Sequence, residues 1–297
     1  MVAAQRAALI LNPHSGTRPH RAKPEAIKAL LASAGLDLTV AIIGAHQDAT
    51  ELARDAVRQG FDTVVACGGD GTISAVASAL VGTEAALGVL PFGTLNHFAK
   101  DLHIPVDTDE AVRVVARRKI EHVDIAEVNG TFFVNNSSLG IYPNIVIERE
   151  RRRRTGWNKW IALGAATLHV LRRYPFMDVC IQAGGHSIAR RTPFVFIGNN
   201  EYEIRGFNIG RRDALNLGRL YLYVAAPVSR PRLIGMAIAA LFGRIGKTGA
   251  LELFSLPEAW IDTPRRRVRV STDGEVRRFA TPLHYVLRSR ALKVIVP

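Results

Sequence analysis

Phe61-Asp62-Thr63-Val64-Val65-Ala66-Cys67-Gly68-Gly69-Asp70-Gly71-Thr72 decides how this chain is read, because an apolar run ends on three glycines, a carboxylate and a hydroxyl. Val64, Val65 and Cys67 read as a short buried strand, and Ile73 to Leu80 carries helix-forming, apolar-periodic residues. The glycines therefore fall at a helix N-terminus. There the first amides have no carbonyl to bond, the helix dipole favours an anion, and missing Cβ atoms let phosphate oxygens reach the main chain. Asp70 stands where it can hold Mg²⁺ or a nucleotide hydroxyl. The plainer alternative, an Asp-Gly turn, is weakened by how rarely this five-residue string arises from average glycine usage. No G-x-x-x-x-G-K-[ST] occurs and no G-x-G-x-x-G follows a strand, which excludes a P-loop and a dinucleotide-binding Rossmann unit.

Two further junctions have the same build. Ala7 to Leu11 runs into Asn12-Pro13-His14-Ser15-Gly16, and Leu87 to Leu90 runs into Pro91-Phe92-Gly93-Thr94-Leu95-Asn96. Helical patterns lie at about Glu25 to Ala34, Ala49 to Gln59 and Ile73 to Leu80. Repeated strand-helix order implies a parallel sheet, whose strands deliver all three loops to one carboxyl edge, the place where open α/β sheets bind ligands.

Four motifs, Asn12 to Gly16 (N-P-x-S-G), Gly68 to Thr72 (G-G-D-G-T), Pro91 to Asn96 (P-x-G-T-x-N) and Asp273 to Glu275 (D-G-E), stand in the order and spacing of the diacylglycerol kinase catalytic-domain family. The chain resembles the soluble bacterial lipid kinases of that family, which are related to sphingosine and ceramide kinases and more distantly to NAD kinases. The resemblance implies an α/β nucleotide-binding domain joined to a β-sandwich, with the active site in the cleft between them. It also implies transfer of the γ-phosphate of ATP, with Mg²⁺, to a lipid hydroxyl. On this resemblance the amides of Gly68, Gly69, Gly71 and Thr72 hold phosphates, and Asp70 serves metal or nucleotide. Asn12, Ser15, Gly93, Thr94 and Asn96 line the nucleotide side. Asp273 is the expected base, and Glu275 its orienting or metal-linked partner. Two side chains that are two apart in an extended segment share a face, which is how this pair is expected to act together; the plainer alternative is a solvent-exposed hairpin turn at Asp273-Gly274. One position departs from the relatives: Leu217 stands where they carry a metal-binding Asp before Gly218, with Asp213 as a nearby substitute.

Composition and charge narrow the rest. The 297 residues are 48% hydrophobic and 22% charged, a folded profile long enough for one large or two ordinary cores. Cys67 and Cys180 show no disulfide or metal spacing and read as reduced thiols of a cytosolic protein. No signal peptide is expected, and the apolar run Leu233 to Phe242 is too short to span a bilayer. Residues 1–123 carry 12 Lys/Arg against 13 Asp/Glu, whereas the remainder carries 27 against 13, so all the excess positive charge lies in the second part. Arg149 and Arg151 to Arg154 precede Trp157, Trp160, Ile161, Gly164, Leu168 and Leu171 at helical spacing, which suits either an interfacial helix on an anionic membrane or a core stripe behind a solvated basic face.

The second part reads as β-rich, starting with a hairpin whose turn is Asn129-Gly130. Expected strands lie at Asp178 to Gln182, Thr192 to Gly198, Arg219 to Ala225 and Arg267 to Ser271, with a last strand near Leu292 to Val296 returning to the first domain. The expected division is thus 1–123 with 288–297, and 124–287. NAD kinase is the main rival, supported by Gly68 to Thr72 and by Asn200-Glu201. A non-catalytic lipid- or nucleotide-binding relative is a second. The expected partners are a lipid alcohol and an anionic membrane surface, with no nucleic acid. Oligomeric state is left open, a homo-oligomer included.

Overall fold

In the computed structural model, residues 5–15, 24–44, 47–141, 143–144, 147, 176–205, 208–225 and 251–297 are described. The basic, Trp-containing stretch from Arg149 to Leu171, the run Leu233 to Phe242, and Gly16 lie outside the described residues. The chain forms two units: Met1–Ile125 with Arg288–Pro297, and Ala126–Leu287.

In the first unit β1 (Gln5–Leu11), β2 (Leu36–Ile42), β3 (Thr63–Gly68) and β4 (Ala86–Pro91) run parallel in the order β2-β1-β3-β4. The C-terminal part of β18 (Leu283–Ile295) joins beside β4, with Val294 parallel to Leu87. All six positions of β3 and of β4 are buried. That explains their unbroken apolar runs, since a parallel sheet is covered on both faces.

Helices α1 (Pro24–Ser33), α2 (Ala49–Arg58), α3 (Asp70–Leu80), α4 (His97–Asp101) and α5 (Thr108–Arg117) complete this unit. Their starts differ in one respect that matters for function. Asp48 caps α2 by accepting from Thr50 N at 2.8 Å, and Asp107 caps α5 by accepting from Glu110 N at 3.0 Å. The N-cap of α3 is Gly69, which has no side chain to offer. Its first-turn amides therefore stay available to a ligand. The sequence reading placed no helix at α5; its signal is the acidic start Asp107 to Glu110 ahead of buried Ala111, Val112, Val114 and Val115.

β5 (Ile120–Val128) runs from the first unit into the second, where Ala126 to Val128 pair antiparallel with β6 (Thr131–Phe133) through Asn129 and Gly130, at φ 45° and 82°. Both positive angles are what a two-residue hairpin turn requires. One antiparallel sheet has the order β14-β13-β10-β7-β16-β17, from β7 (Asn136–Gly140), β10 (Phe194–Asn199), β13 (Leu220–Ala225), β14 (Leu251–Leu256), β16 (Arg267–Thr272) and β17 (Glu275–Ala280). Opposite it, β9 (His186–Thr192), β8 (Met177–Ala183), β15 (Glu258–Asp262) and the N-terminal part of β18 pair in that order. A short pair, β11 (Glu203–Arg205) with β12 (Asn208–Arg211), stands apart. Leu139, Ile197, Leu222 and Val270 of one sheet and Val179, Ile181, Ala259 and Tyr285 of the other fill one apolar core. This is the expected α/β-plus-sandwich plan. The alternation of inward apolar and outward polar residues, for example in Glu258–Asp262, produces it.

The core holds three weak acids in their neutral forms. Burial pushes the Cys67 thiol up to about 12 and the Tyr223 phenol up to about 12; it raises the Tyr285 phenol further, against the opposing bond to Ser137 Oγ at 3.0 Å. An acid whose folded-state affinity for its proton is raised stabilises the fold below its ordinary pKa and loses that contribution as pH climbs past it. Calorimetry is expected to show a melting temperature that is flat from about pH 6 to 8 and falls progressively above about pH 9, where unfolded thiol and phenol ionise.

Candidate active site

Three loops leave the carboxyl edge of β1, β3 and β4 and bond to one another. Asn12 N donates to Cys67 O at 2.9 Å and Asn12 Nδ2 to Thr72 Oγ1 at 3.1 Å. Gly69 N donates to Ser15 Oγ at 3.2 Å, and Phe92 N to Gly68 O at 2.8 Å. Asn96, buried and left-handed at φ 51°, closes the third loop on itself: its Oδ1 accepts from Gly93 N at 2.8 Å and its Nδ2 donates to Gly93 O at 3.1 Å. Thr94 is exposed on the same loop. The loops read from sequence are thus brought together. Asn12, Ser15, Thr72 and Asn96 are bonded to protein groups and fix the loops' shape.

The glycines are there because main chain passes main chain. A Cβ on Gly93 would lie 2.8 Å from Gly69 Cα and 2.6 Å from Asn96 Oδ1, and one on Gly68 would lie 2.7 Å from the Thr72 side chain. Gly93→Ala therefore has to push the third loop off the second, a packing change that costs about 1–3 kcal/mol. Titration with a non-hydrolysable ATP analogue is expected to show at least a roughly tenfold loss of affinity in a variant that still melts cooperatively. Unchanged affinity would remove this loop from the nucleotide site.

Asp70 is the first residue of α3, and its Oδ1 is buried without a hydrogen-bond partner. A buried carboxylate oxygen left unpaired is costly unless something else completes it. Mg²⁺ fits: it takes one or two carboxylates together with substrate phosphates and keeps several waters. No group of three or more His, Cys, Asp and Glu gathers among the described residues, so a metal here would draw its other ligands from phosphate and water.

In the second unit the geometry around Asp273 differs from the expected extended segment. Asp273 and Gly274 are the two turn residues between β16 and β17, at φ 48° and 86°, because Asp-Gly is a strong signal for that turn. Asp273 and Glu275 therefore do not lie two apart along one straight strand face. Glu275 is exposed and pairs with Arg277 Nη2 at 3.1 Å. The Asp273 carboxylate is instead held by three amides. Oδ2 accepts from Val134 N at 2.9 Å, and Oδ1 accepts from Asn135 N at 2.8 Å and Asn136 N at 3.1 Å. Sequence reasoning missed the 134–136 segment, and with it Asn199 and Arg212, which bond its carbonyls. Nothing in local pattern marks Arg212, which sits at the exit of a short strand among other arginines. Leu217 is 44% exposed, and its N–H donates to Asn200 Oδ1 at 3.0 Å.

The same unit contains a cavity of about 490 Å³ lined by Leu139, Phe176, Met177 and Val268 and also by Arg269 and Arg278. Those two arginines are directly opposite in the β16–β17 register. Like charges so placed repel unless an anion lies near.

Comparison with known proteins agrees with these observations. The diacylglycerol kinase catalytic domain profile matches residues 6–128. A "Probable lipid kinase YegS-like" protein of Klebsiella pneumoniae is 38% identical over 224 residues, covering 73% of this chain and 72% of that protein. A "Diacylglycerol kinase" of Staphylococcus saprophyticus is 31% identical over 146 residues, 48% of each chain. Among solved structures, a diacylglycerol kinase from Bacillus anthracis superposes over 100% of this chain and 98% of its own, with TM-score 0.71 at 20% identity. Yeast NADH kinase covers 99% of this chain, with 84% of its own length and TM-score 0.50 at 11% identity. At those identities the structural likenesses speak to the fold. With the profile match across the three nucleotide-side motifs and a relative aligned over nearly three quarters of both chains, this chain belongs to the diacylglycerol kinase catalytic-domain family, a family of lipid kinases.

Proposed function

We propose that the protein transfers the γ-phosphate of ATP to the hydroxyl of a lipid such as diacylglycerol or a sphingoid or ceramide-like alcohol. The observation that carries this reading is Asp70 Oδ1, an unpartnered buried carboxylate oxygen on the first residue of a helix whose N-cap is glycine. The amides of Asp70, Gly71 and Thr72 meet phosphate oxygens. Asp70 would hold Mg²⁺, which when bound would supply neutralisation of phosphate charge, and that with positioning is most of what phosphoryl transfer needs. Gly69 N is taken by Ser15 Oγ, so Ser15 shapes the cradle.

The Asp273 carboxylate, held by the amides of Val134, Asn135 and Asn136, receives the proton of the acceptor hydroxyl. The three N–H donors hold the carboxylate in one orientation, which is the positioning that phosphoryl transfer depends on. Glu275, by resemblance, supports Asp273 or the metal. The cavity beside Met177 and Val268, lined also by arginines, suits an acceptor that has both an apolar chain and an anionic neighbour and supports a lipid acceptor presented at an anionic membrane. No helix among the described residues is long and apolar enough to cross a membrane. The proposal includes peripheral contact with the membrane from the cytoplasmic side and no nucleic-acid partner.

The test is transfer of labelled phosphate from ATP and Mg²⁺ to a panel of lipid alcohols in anionic mixed micelles, with NAD offered in parallel. A labelled lipid is the expected product. Labelled NADP would move the activity to the NAD kinases, and binding of ATP with no product from any acceptor would favour a non-catalytic relative.

A further inference from the structure

Arg212 is the largest fully buried side chain of the described residues, at 0% exposure. A guanidinium is retained in such a place only if its donors are met by good acceptors. Nη1 donates to Val134 O at 2.7 Å and to Asn199 O at 3.0 Å, Nη2 donates to Asn135 Oδ1 at 2.7 Å, and the guanidinium carbon lies 5.4 Å from the centre of the Tyr202 ring. Asn199 reinforces the same segment: its Nδ2 donates to Val134 O at 2.9 Å and its N–H to Asn135 O at 2.9 Å.

These carbonyls belong to the peptide units whose amides hold Asp273. Val134 C=O and Asn135 N–H lie in one rigid peptide plane, and Asn135 C=O and Asn136 N–H in the next. Fixing Val134 O therefore aims Asn135 N–H, and fixing Asn135 O aims Asn136 N–H. Both amides end on Asp273 Oδ1.

We propose that Arg212, with Asn199 as its co-anchor, is a positioning residue that sets the two peptide planes of the 134–136 segment and thereby the orientation of the Asp273 carboxylate. The inference rests on the reading of Asp273 as the proton acceptor. Arg212 itself touches no substrate. Its planar fork spans Val134 O, Asn199 O and Asn135 Oδ1 at once, which the single ammonium of lysine cannot reproduce.

The experiment compares Arg212→Lys, Asn199→Ala and Asp273→Asn with the unaltered protein, at a temperature well below each melting point. The assay uses the lipid alcohol that the panel identifies. Expected for Arg212→Lys is a fall in kcat of about 10- to 100-fold, with the KM for ATP unchanged and the acid limb of the pH–rate profile moved to higher pH. Asn199→Ala is expected to move both readouts the same way by less, and it carries the test if Arg212→Lys fails to fold. An activity-independent readout is the titration of the Asp273 carboxyl carbon by NMR in aspartate-labelled protein, assigned by its absence in Asp273→Asn. Its midpoint is expected to rise in Arg212→Lys, which a residue that only fills the core would not cause. An unchanged acid limb and an unchanged carboxyl titration in folded Arg212→Lys overturn the inference. If Asp273→Asn keeps full kcat, the base reading fails instead, and the NMR titration still judges Arg212.

Discussion

Asp273→Asn is expected to lower kcat for lipid phosphorylation by about 10²- to 10⁴-fold, the range of a positioned general base, while binding of an ATP analogue stays within about twofold of the unaltered protein. The separation follows from where the groups lie: the proposed phosphate cradle is built from the loops after β1, β3 and β4 of the first unit, and Asp273 stands in a hairpin turn of the second. Asparagine tolerates the left-handed backbone at this position, so the turn itself is preserved. The amide oxygen can keep the bonds from Asn135 and Asn136, but the amide nitrogen then faces Val134 N–H, donor against donor. Losing that charge-assisted bond costs about 1.5–3 kcal/mol, and a drop in melting temperature of roughly 5 °C should accompany the kinetic effect. Loss of nucleotide affinity in step with kcat would show that the substitution damages more than the acceptor side and would remove Asp273 from the role of base.

Asp70→Asn is expected to act on the other substrate. Replacing the carboxylate by an amide of the same shape removes the one anionic oxygen at the head of α3 that has no protein partner. If Asp70 holds Mg²⁺, the ion would supply transition-state charge stabilisation worth several kcal/mol, so kcat/KM for Mg·ATP should fall at least about 10³-fold. Stability should hardly move, because two effects oppose each other. The helix dipole loses an anion worth about 0.3–1 kcal/mol, while an unsatisfied buried acceptor becomes less demanding. A melting temperature within about 3 °C of the original, beside a collapse of activity, is the pattern of a group kept for a ligand. Robust turnover by a folded Asp70→Asn protein would sink the metal assignment.

The local structure of the loops proposed to hold nucleotide was the part most legible in the sequence. The strand-glycine-helix signal at Thr63 to Leu80 is local, and the structure repeats it as β3 and α3 with Gly69 as the N-cap. The parallel order of the sheet followed from alternating element types, and the hairpin at Asn129 and Gly130 from a dipeptide that permits two positive φ angles. The face shared by Asp273 and Glu275 was misread. The same residues that made a recognisable motif also make a two-residue turn, and the turn redirects the chain.

What the sequence determined by itself is therefore everything that depends on neighbours within a turn or a strand: periodic apolar burial, helix starts, glycine turns, and the order of elements that makes the sheet parallel. Tertiary structure alone decided which amides hold the Asp273 carboxylate, since Val134, Asn135 and Asn136 are 139, 138 and 137 positions away. It likewise decided that Arg212 reaches Val134 O across 78 positions and that a Cβ on Gly93 would press on Gly69. Hydrogen bonds are directional over about 3 Å and indifferent to sequence separation, so residues that meet only once strands distant in sequence lie side by side leave no periodicity for a linear reading to find.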